Sequence, residues 1–383
     1  MTVTTPAGFE AAGVRAGLRA ADAPDLALVV NRGPLQAGAA VFTSNRAKAN
    51  PVLWSQQAVA DGVVSAVVLN AGGANCFTGA QGFQTTHATA EAVGEALGVA
   101  AGDVLVCSTG LIGEQLDRDK VLTGVAEAAG ALSVDGGVDA ARAIMTTDTV
   151  PKTAVVRGDG WSIGGMAKGA GMLAPGLATM LVVLTTDAAL AAGELDAALR
   201  TATRLTFDRL DSDGAMSTND HVTLLASGAS GVEPDPALFQ AALLELCDDL
   251  AGQLQADAEG ASHDIRIEVL GAVTEDDAVE VGRSVARNNL VKTAIFGNDP
   301  NWGRVLAAIG TTSAPFDPYA VDVAINGVRV CSAGAPDRPR DEVDLTGRAV
   351  HIAIDLKAGD ATATIRTNDL THDYVHENSA YSS

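Results

Sequence analysis

The stretch from Gly164 to Asp187, GGMAKGAGMLAPGLATMLVVLTTD, constrains this chain more than any other. Its first part is rich in glycine, which reads as a pliable segment, and holds one lysine, Lys168. From Thr179 onward an apolar, β-branched run predicts a buried strand. A hydroxyl residue opening a strand directly after small residues suits a site where backbone bends against that hydroxyl, the geometry of self-cleavage. If Thr179 Oγ attacks the Ala178 carbonyl, the peptide becomes an ester. Hydrolysis then separates the pieces and frees an α-amino group on Thr179. Such an amine titrates at roughly 7.7 to 8.0 and can act as the threonine's own general base. Taken alone, these residues favour the plainer reading, an ordinary strand threonine.

Other segments change that balance: VFTSNRAKANPV from Val41, CSTGLIGEQL from Cys107, IMTTDTVPK from Ile144 and STNDHV from Ser217. LVKTAIFGNDPNWGR from Leu290 and the terminal ENSAYSS complete the set. Together with the central stretch they make the chain resemble, along its full length, the ornithine acetyltransferases (glutamate N-acetyltransferases) of arginine biosynthesis. In that family a Thr following Ala is both the cleavage point and the nucleophile. The resemblance implies an N-terminal-nucleophile-like acetyltransferase fold with two subdomains, cut into an alpha chain, 1–178, and a beta chain, 179–383, that build one active site. It implies an acetyl-Thr179 intermediate, N2-acetylornithine and glutamate as substrates, and a heterotetramer of two alpha and two beta chains. No cofactor is expected, with acetyl-CoA as a possible alternative acetyl donor.

By the same resemblance Thr109 and Gly110 form the oxyanion hole, and Thr146, Lys168, Thr179, Glu259, Asn378 and Ser383 contact substrate. The physical reason for the first pair is sound: a glycine lets backbone approach the reacting carbonyl, and aimed donors stabilise an oxyanion by about 3 to 4 kcal/mol. Without the resemblance Thr109 and Gly110 read as a turn ending a strand, and Glu259 as a solvated helix-end carboxylate. One departure stands in NAGGANC from Asn70, where Gly73 replaces the asparagine of the family pattern NSGNAN and puts that side chain's role in doubt.

Composition narrows the alternatives. A net charge of −22 over 383 residues disfavours nucleic acid and anionic membrane as partners. No run reaches the roughly 20 apolar residues of a spanning helix, and the N-terminus lacks a signal pattern, so a cytoplasmic protein is expected. Cys76, Cys107, Cys247 and Cys331 are widely spaced and the six histidines scattered, which predicts buried thiols and no metal site. No P-loop, dinucleotide fingerprint or nucleophile elbow is present.

In order, LALVVN from Leu26, AAVFT from Ala39, SAVVLNAG from Ser65 and DVLVCSTG from Asp103 read as strands. Helices are expected over Thr85–Leu97 and Leu116–Leu132 and from Val138, with TAVVRG and WSIGGMA pairing as a hairpin. Asp187 is the expected N-cap of the next helix, and Asp235 that of a long one over Pro236–Ala256 whose apolar face includes Leu238. A strand from His263, a helix from Glu275 and three further strands, AVDVAING, AVHIAIDL and ATATIRTND, follow. The alternation predicts an α/β protein, mixed sheets covered by helices. Two other functions remain open: an N-terminal-nucleophile amidase or aminopeptidase, and an uncleaved amino-acid-binding protein on the same scaffold.

Overall fold

Two sheets built from those apolar runs pack face to face. The structure, a computed structural model, describes residues 1–20, 22–174 and 180–380. One sheet has the order Phe9–Val14, Leu26–Asn31, Ala66–Ala71, Val104–Thr109, with only the last pair parallel. The other runs Ala37–Phe42, His221–Ala226, Leu181–Thr186, Ser162–Lys168, Lys152–Arg157, and its parallel pair is His221–Ala226 with Leu181–Thr186. Val29, Leu69 and Leu105 from the first meet Met166, Val183 and Leu225 from the second. Burial on both faces explains why these strands read as continuous apolar runs rather than alternating ones.

Helices Gly79–Leu97 and Arg118–Gly130 cover the outer face of the first sheet, and Ala192–Leu205 and Pro236–Ala256 that of the second. The layers are therefore helix, sheet, sheet, helix. A second subdomain folds around the six-stranded mixed sheet Ala335–Pro336, Val328–Ser332, Asp322–Ile325, Ala349–Asp355, Asp264–Ala272, Ala361–Asn368. Helices Glu275–Ala286, Asn289–Phe296 and Trp302–Ile309 bury its face in a separate core. The α/β class, the mixed sheets and the two subdomains agree with the sequence.

Several local expectations change. The expected hairpin forms, Lys152–Arg157 antiparallel to Ser162–Lys168, so the glycines at 164 and 165 are part of a buried strand rather than of a pliable approach, and their lack of a side chain permits contact. A Cβ on Gly164 would meet Thr2 O at 2.3 Å, and one on Gly165 would press on Leu184, Leu246 and Leu250. Asp187 does not cap a helix. Its carboxylate accepts from the Ala7 and Ser162 N–H groups, while the helix begins at Ala192 and is capped by Glu194 reaching the Ala191 N–H at 2.8 Å. The helix expected from Thr85 begins at Gly79, two glycines notwithstanding, because Asn75 Nδ2 bonds Gly82 O and Thr86 Oγ1 and fixes the extra turn. Strand Phe9–Val14 and helices Asn50–Ala58 and His372–Ala380 were not foreseen.

Asp235 caps the long helix as expected, accepting from the Ala237 and Leu238 N–H groups. Leu238, however, is 66% exposed, whereas Leu243, Leu246, Leu250 and Leu254 are fully buried. Leu250→Ala is expected to cost about 2 to 5 kcal/mol of unfolding free energy in urea titrations, and Leu238→Ala no more than about 0.5 kcal/mol. Equal losses would contradict this orientation of the helix.

Candidate active site

Lys168 ends its strand opposite Leu181 on the neighbouring strand, at one end of these two interior strands of the sheet. Ala178 and Thr179 fall between the two strands in sequence and, like Ser383, lie outside the described residues. A cavity opens at this end of the strands. Its lining brings together Thr109, Gly110, Thr146, Lys168, Glu259 and Asn378, every other site residue read from the sequence. These residues come from both sides of the Ala178–Thr179 link.

Thr109 closes its strand, and Gly110 turns away at φ 127°, in the region open chiefly to glycine. A Cβ on Gly110 would lie 2.6 Å from Gly73 N, which itself donates to Thr109 O at 2.9 Å. Gly73 thus contributes backbone: its own carbonyl accepts from Asn70 Nδ2 at 3.3 Å, and a Cβ there would meet Leu116 at 2.8 Å. Asn219 Nδ2 ties the two segments together, donating to Ala74 O at 2.6 Å and Ser108 O at 2.8 Å.

Lys168 is buried, and its Nζ donates to Thr109 Oγ1 at 3.3 Å. That bond occupies an acceptor site on the threonine and leaves its O–H free to donate into the cavity. Burial pulls the ammonium below its ordinary pKa and Lys152 adds to this, against the carboxylates Asp148 and Glu259, which favour the charge. Asp148 accepts from Gly169 N and Lys152 Nζ at 2.6 Å each and from Thr146 N at 3.0 Å. Burial opposes its ionisation, but Lys168, Lys152 and these donors outweigh it and hold the carboxyl below the usual range. Lys152 also bonds Asp257 at 2.6 Å. The Thr146 loop and the Lys168 strand are therefore fastened through one carboxylate.

Glu259 is not the solvated carboxylate that its place near a helix end suggests. It is 8% exposed, and Asn378 Nδ2 donates to its Oε2 at 2.9 Å from the C-terminal helix His372–Ala380. Gly171 makes room, since a Cβ there would sit 2.5 Å from that oxygen. Met172, next along, holds a left-handed φ of 56°, a conformation that costs a non-glycine residue about 1 kcal/mol or more.

Sequence reasoning missed Asp148, Lys152, Asn219 and Asp220 as parts of this site. Two were spelled out in IMTTDTVPK, where Asp148 and Lys152 stand four apart, and two in STNDHV, where consecutive polar residues precede a fully buried strand. The described residues hold no group of three or more His, Cys, Asp or Glu able to bind a metal, and no helix long and apolar enough to cross a membrane. All four cysteines are buried free thiols, as expected.

The fold and cavity define an α/β protein with two packed sheets and a cavity lined by the strand-end Thr109 and Gly110 and a buried lysine. The ArgJ family model matches residues 10–383, and the chain belongs to that family. It is 65% identical over 383 residues, all of both chains, to the arginine biosynthesis bifunctional protein ArgJ of Streptomyces coelicolor. A crystal structure of ornithine acetyltransferase complexed with ornithine from Mycobacterium tuberculosis is 54% identical, covering 47% of this chain and 96% of its own, with a TM-score of 0.45. The crystal structure of the arginine biosynthesis bifunctional protein argJ of Bacillus halodurans is 38% identical, covering 51% of this chain and 97% of its own, with a TM-score of 0.50.

Gly110→Ala tests the donor pair. The added Cβ meets Gly73 and the backbone must leave φ 127°, so kcat in an ornithine acetyltransferase assay is expected to fall by about 100-fold or more while the protein still folds. Unchanged turnover would contradict the assignment.

Proposed function

We propose that this chain is an arginine-biosynthesis acetyltransferase that cuts itself between Ala178 and Thr179 and then moves acetyl from N2-acetylornithine to glutamate through acetyl-Thr179. The observation that carries the reading is the convergence of Thr109, Gly110, Thr146, Lys168, Glu259 and Asn378 on one cavity, at the strand end where Lys168 pairs with Leu181. A chain with this family's sequence over residues 10–383 and this cavity has the parts for acyl transfer.

Cleavage begins when Thr179 Oγ adds to the Ala178 carbonyl carbon. The C–N bond breaks, the nitrogen keeps the proton that Oγ gives up, and water then hydrolyses the ester to a carboxyl on Ala178 and a hydroxyl on Thr179. In turnover the same Oγ attacks the acetyl carbon of acetylornithine and its proton passes to the Thr179 amine. The Thr109 O–H and the Gly110 N–H face the developing oxyanion. Ornithine leaves with that proton, and glutamate enters and takes acetyl back by the reverse sequence. Donor and acceptor share an α-carbon bearing a carboxylate and a nitrogen, so one pocket can orient both in turn.

Lys168 supplies a positive charge for a substrate carboxylate, and Glu259, steadied by Asn378, a negative one for the ornithine ammonium. Thr146 contacts substrate from the loop fastened by Asp148, and Ser383 from the C-terminus. No cofactor takes part, and acetyl-CoA is a second candidate donor. The alpha chain 1–178 and beta chain 179–383 stay associated, because Leu181–Thr186 pairs with Ser162–Lys168 across the cut. Two of each would form the cytoplasmic enzyme.

Intact mass spectrometry is expected to find two chains, of 178 residues and, from the 383-residue total, the remaining 205. Thr179→Ala should stay whole for want of Oγ, and double-reciprocal plots of the processed enzyme should be parallel. Complete cutting of that variant, or converging plots with no sign of a two-step exchange, would overturn the reading.

A further inference from the structure

The reading above leaves a buried carboxyl unused. Asp220 is fully buried, in the loop that leads into His221–Ala226, and its Oδ1 accepts the backbone N–H of Met180 at 3.1 Å. On the other side of the same residue, His221 N donates to Met180 O at 3.2 Å. Met180 therefore enters the sheet gripped at both backbone groups. The gripped N–H belongs to the peptide whose carbonyl is that of Thr179, one covalent bond of about 1.33 Å away. Asp220 Oδ2, by contrast, is buried with no hydrogen-bond partner among the described residues.

The loop that carries Asp220 is itself fixed. Thr43 N donates to Asp220 O at 3.0 Å, Thr43 Oγ1 to Ser217 O at 2.7 Å, and Asn45 Nδ2 to Met216 O at 3.0 Å. One residue before Asp220, Asn219 grips Ser108 O, next to Thr109. A single loop thus spans the distance between the oxyanion donors and the peptide that follows the nucleophile.

We propose that Asp220 is the positioning residue of the nucleophile, an uncharged carboxyl that holds the Met180 N–H and so fixes Thr179 in register with Thr109 and Gly110. The proposal rests on the reading of Thr179 as nucleophile. An ionised carboxylate with one oxygen left unpartnered in the interior would be costly, and its charge would oppose the oxyanion forming close by. A protonated carboxyl anchors the peptide without either penalty. Burial pushes Asp220 well above the usual carboxylate range, opposed by the Met180 N–H, the Ser217 hydroxyl and Lys168, and reinforced by Asp208. The adjoining His221 is held neutral, burial pulling it down to about 3, with its ring between Cys107 Sγ and Thr223 Oγ1.

The test compares two variants and the native enzyme. Asp220→Ala removes the anchor and is expected to lose about 100-fold in kcat with KM little changed, as a slightly misplaced nucleophile would. Asp220→Asn keeps an acceptor for Met180 N–H without a charge and is expected to recover most of that loss. Infrared difference spectra of wild type minus Asp220→Asn should show the carbonyl band of a protonated carboxylic acid, a signature that side-chain packing alone does not produce. Overturning results are an Asp220→Asn enzyme as impaired as Asp220→Ala, an Asp220→Ala enzyme with wild-type kcat, or absence of the band. Wild-type protein lacking an N-terminal Thr179 would overturn the nucleophile reading and this proposal together, whereas the former results leave Thr179 in place.

Discussion

Much of this site depends on one arrangement of buried charge, the Asp148 carboxylate beside the ammonium groups of Lys152 and Lys168. Lys152 and Asp148 side chains are wholly inaccessible, and such ions stay in an interior only when paired and hydrogen-bonded. The consequence is geometric. Asp148 binds Gly169 and Thr146, Lys152 reaches Asp257 past the end of the long helix, and Lys168 is left with Nζ pointing at Thr109. Four segments of the chain are held around one cavity by groups that would be costly to separate.

The sandwich makes that arrangement possible. Strands ending at Thr109 in one sheet and Lys168 in the other have their ends side by side because the two sheets pack through Met166, Leu69 and Leu105. The parallel pair Leu181–Thr186 and His221–Ala226 brings the Ser217–Asp220 loop level with Met180. From the second subdomain side, Glu259 and the C-terminal helix close the remaining wall through Asn378. The cavity is thus shared between segments on both sides of the proposed cut, and neither part has it alone.

Much of this was legible in the sequence. Buried strands such as Leu26–Asn31 and Leu181–Thr186 read correctly because burial on both faces writes unbroken apolar runs. Thr109, Gly110, Lys168, Glu259 and Asn378 were named through family motifs, and the structure gathers them. What the residues hid was non-local. Glu259 looked solvated because nothing nearby in sequence announces Asn378, more than a hundred residues on. Asp187 looked like a helix cap, but its partners are Ala7 and Ser162. The paired glycines at 164 and 165 looked pliable, though they are small because Thr2 and the long helix press against them. Asp220 carried no signal except its place before an apolar strand, since the group it serves is a backbone N–H.

The claim on which the account turns is that acetyl passes through Thr179. Incubating the enzyme with N2-acetylornithine isotopically labelled in the acetyl group, without glutamate, followed by acid quench and peptide mapping, addresses it directly. The account expects one labelled acetyl per active site, on the peptide beginning at Thr179, discharged when glutamate is added before the quench. Label on another residue, or transfer to glutamate at full rate with no labelled protein at any time, would contradict it.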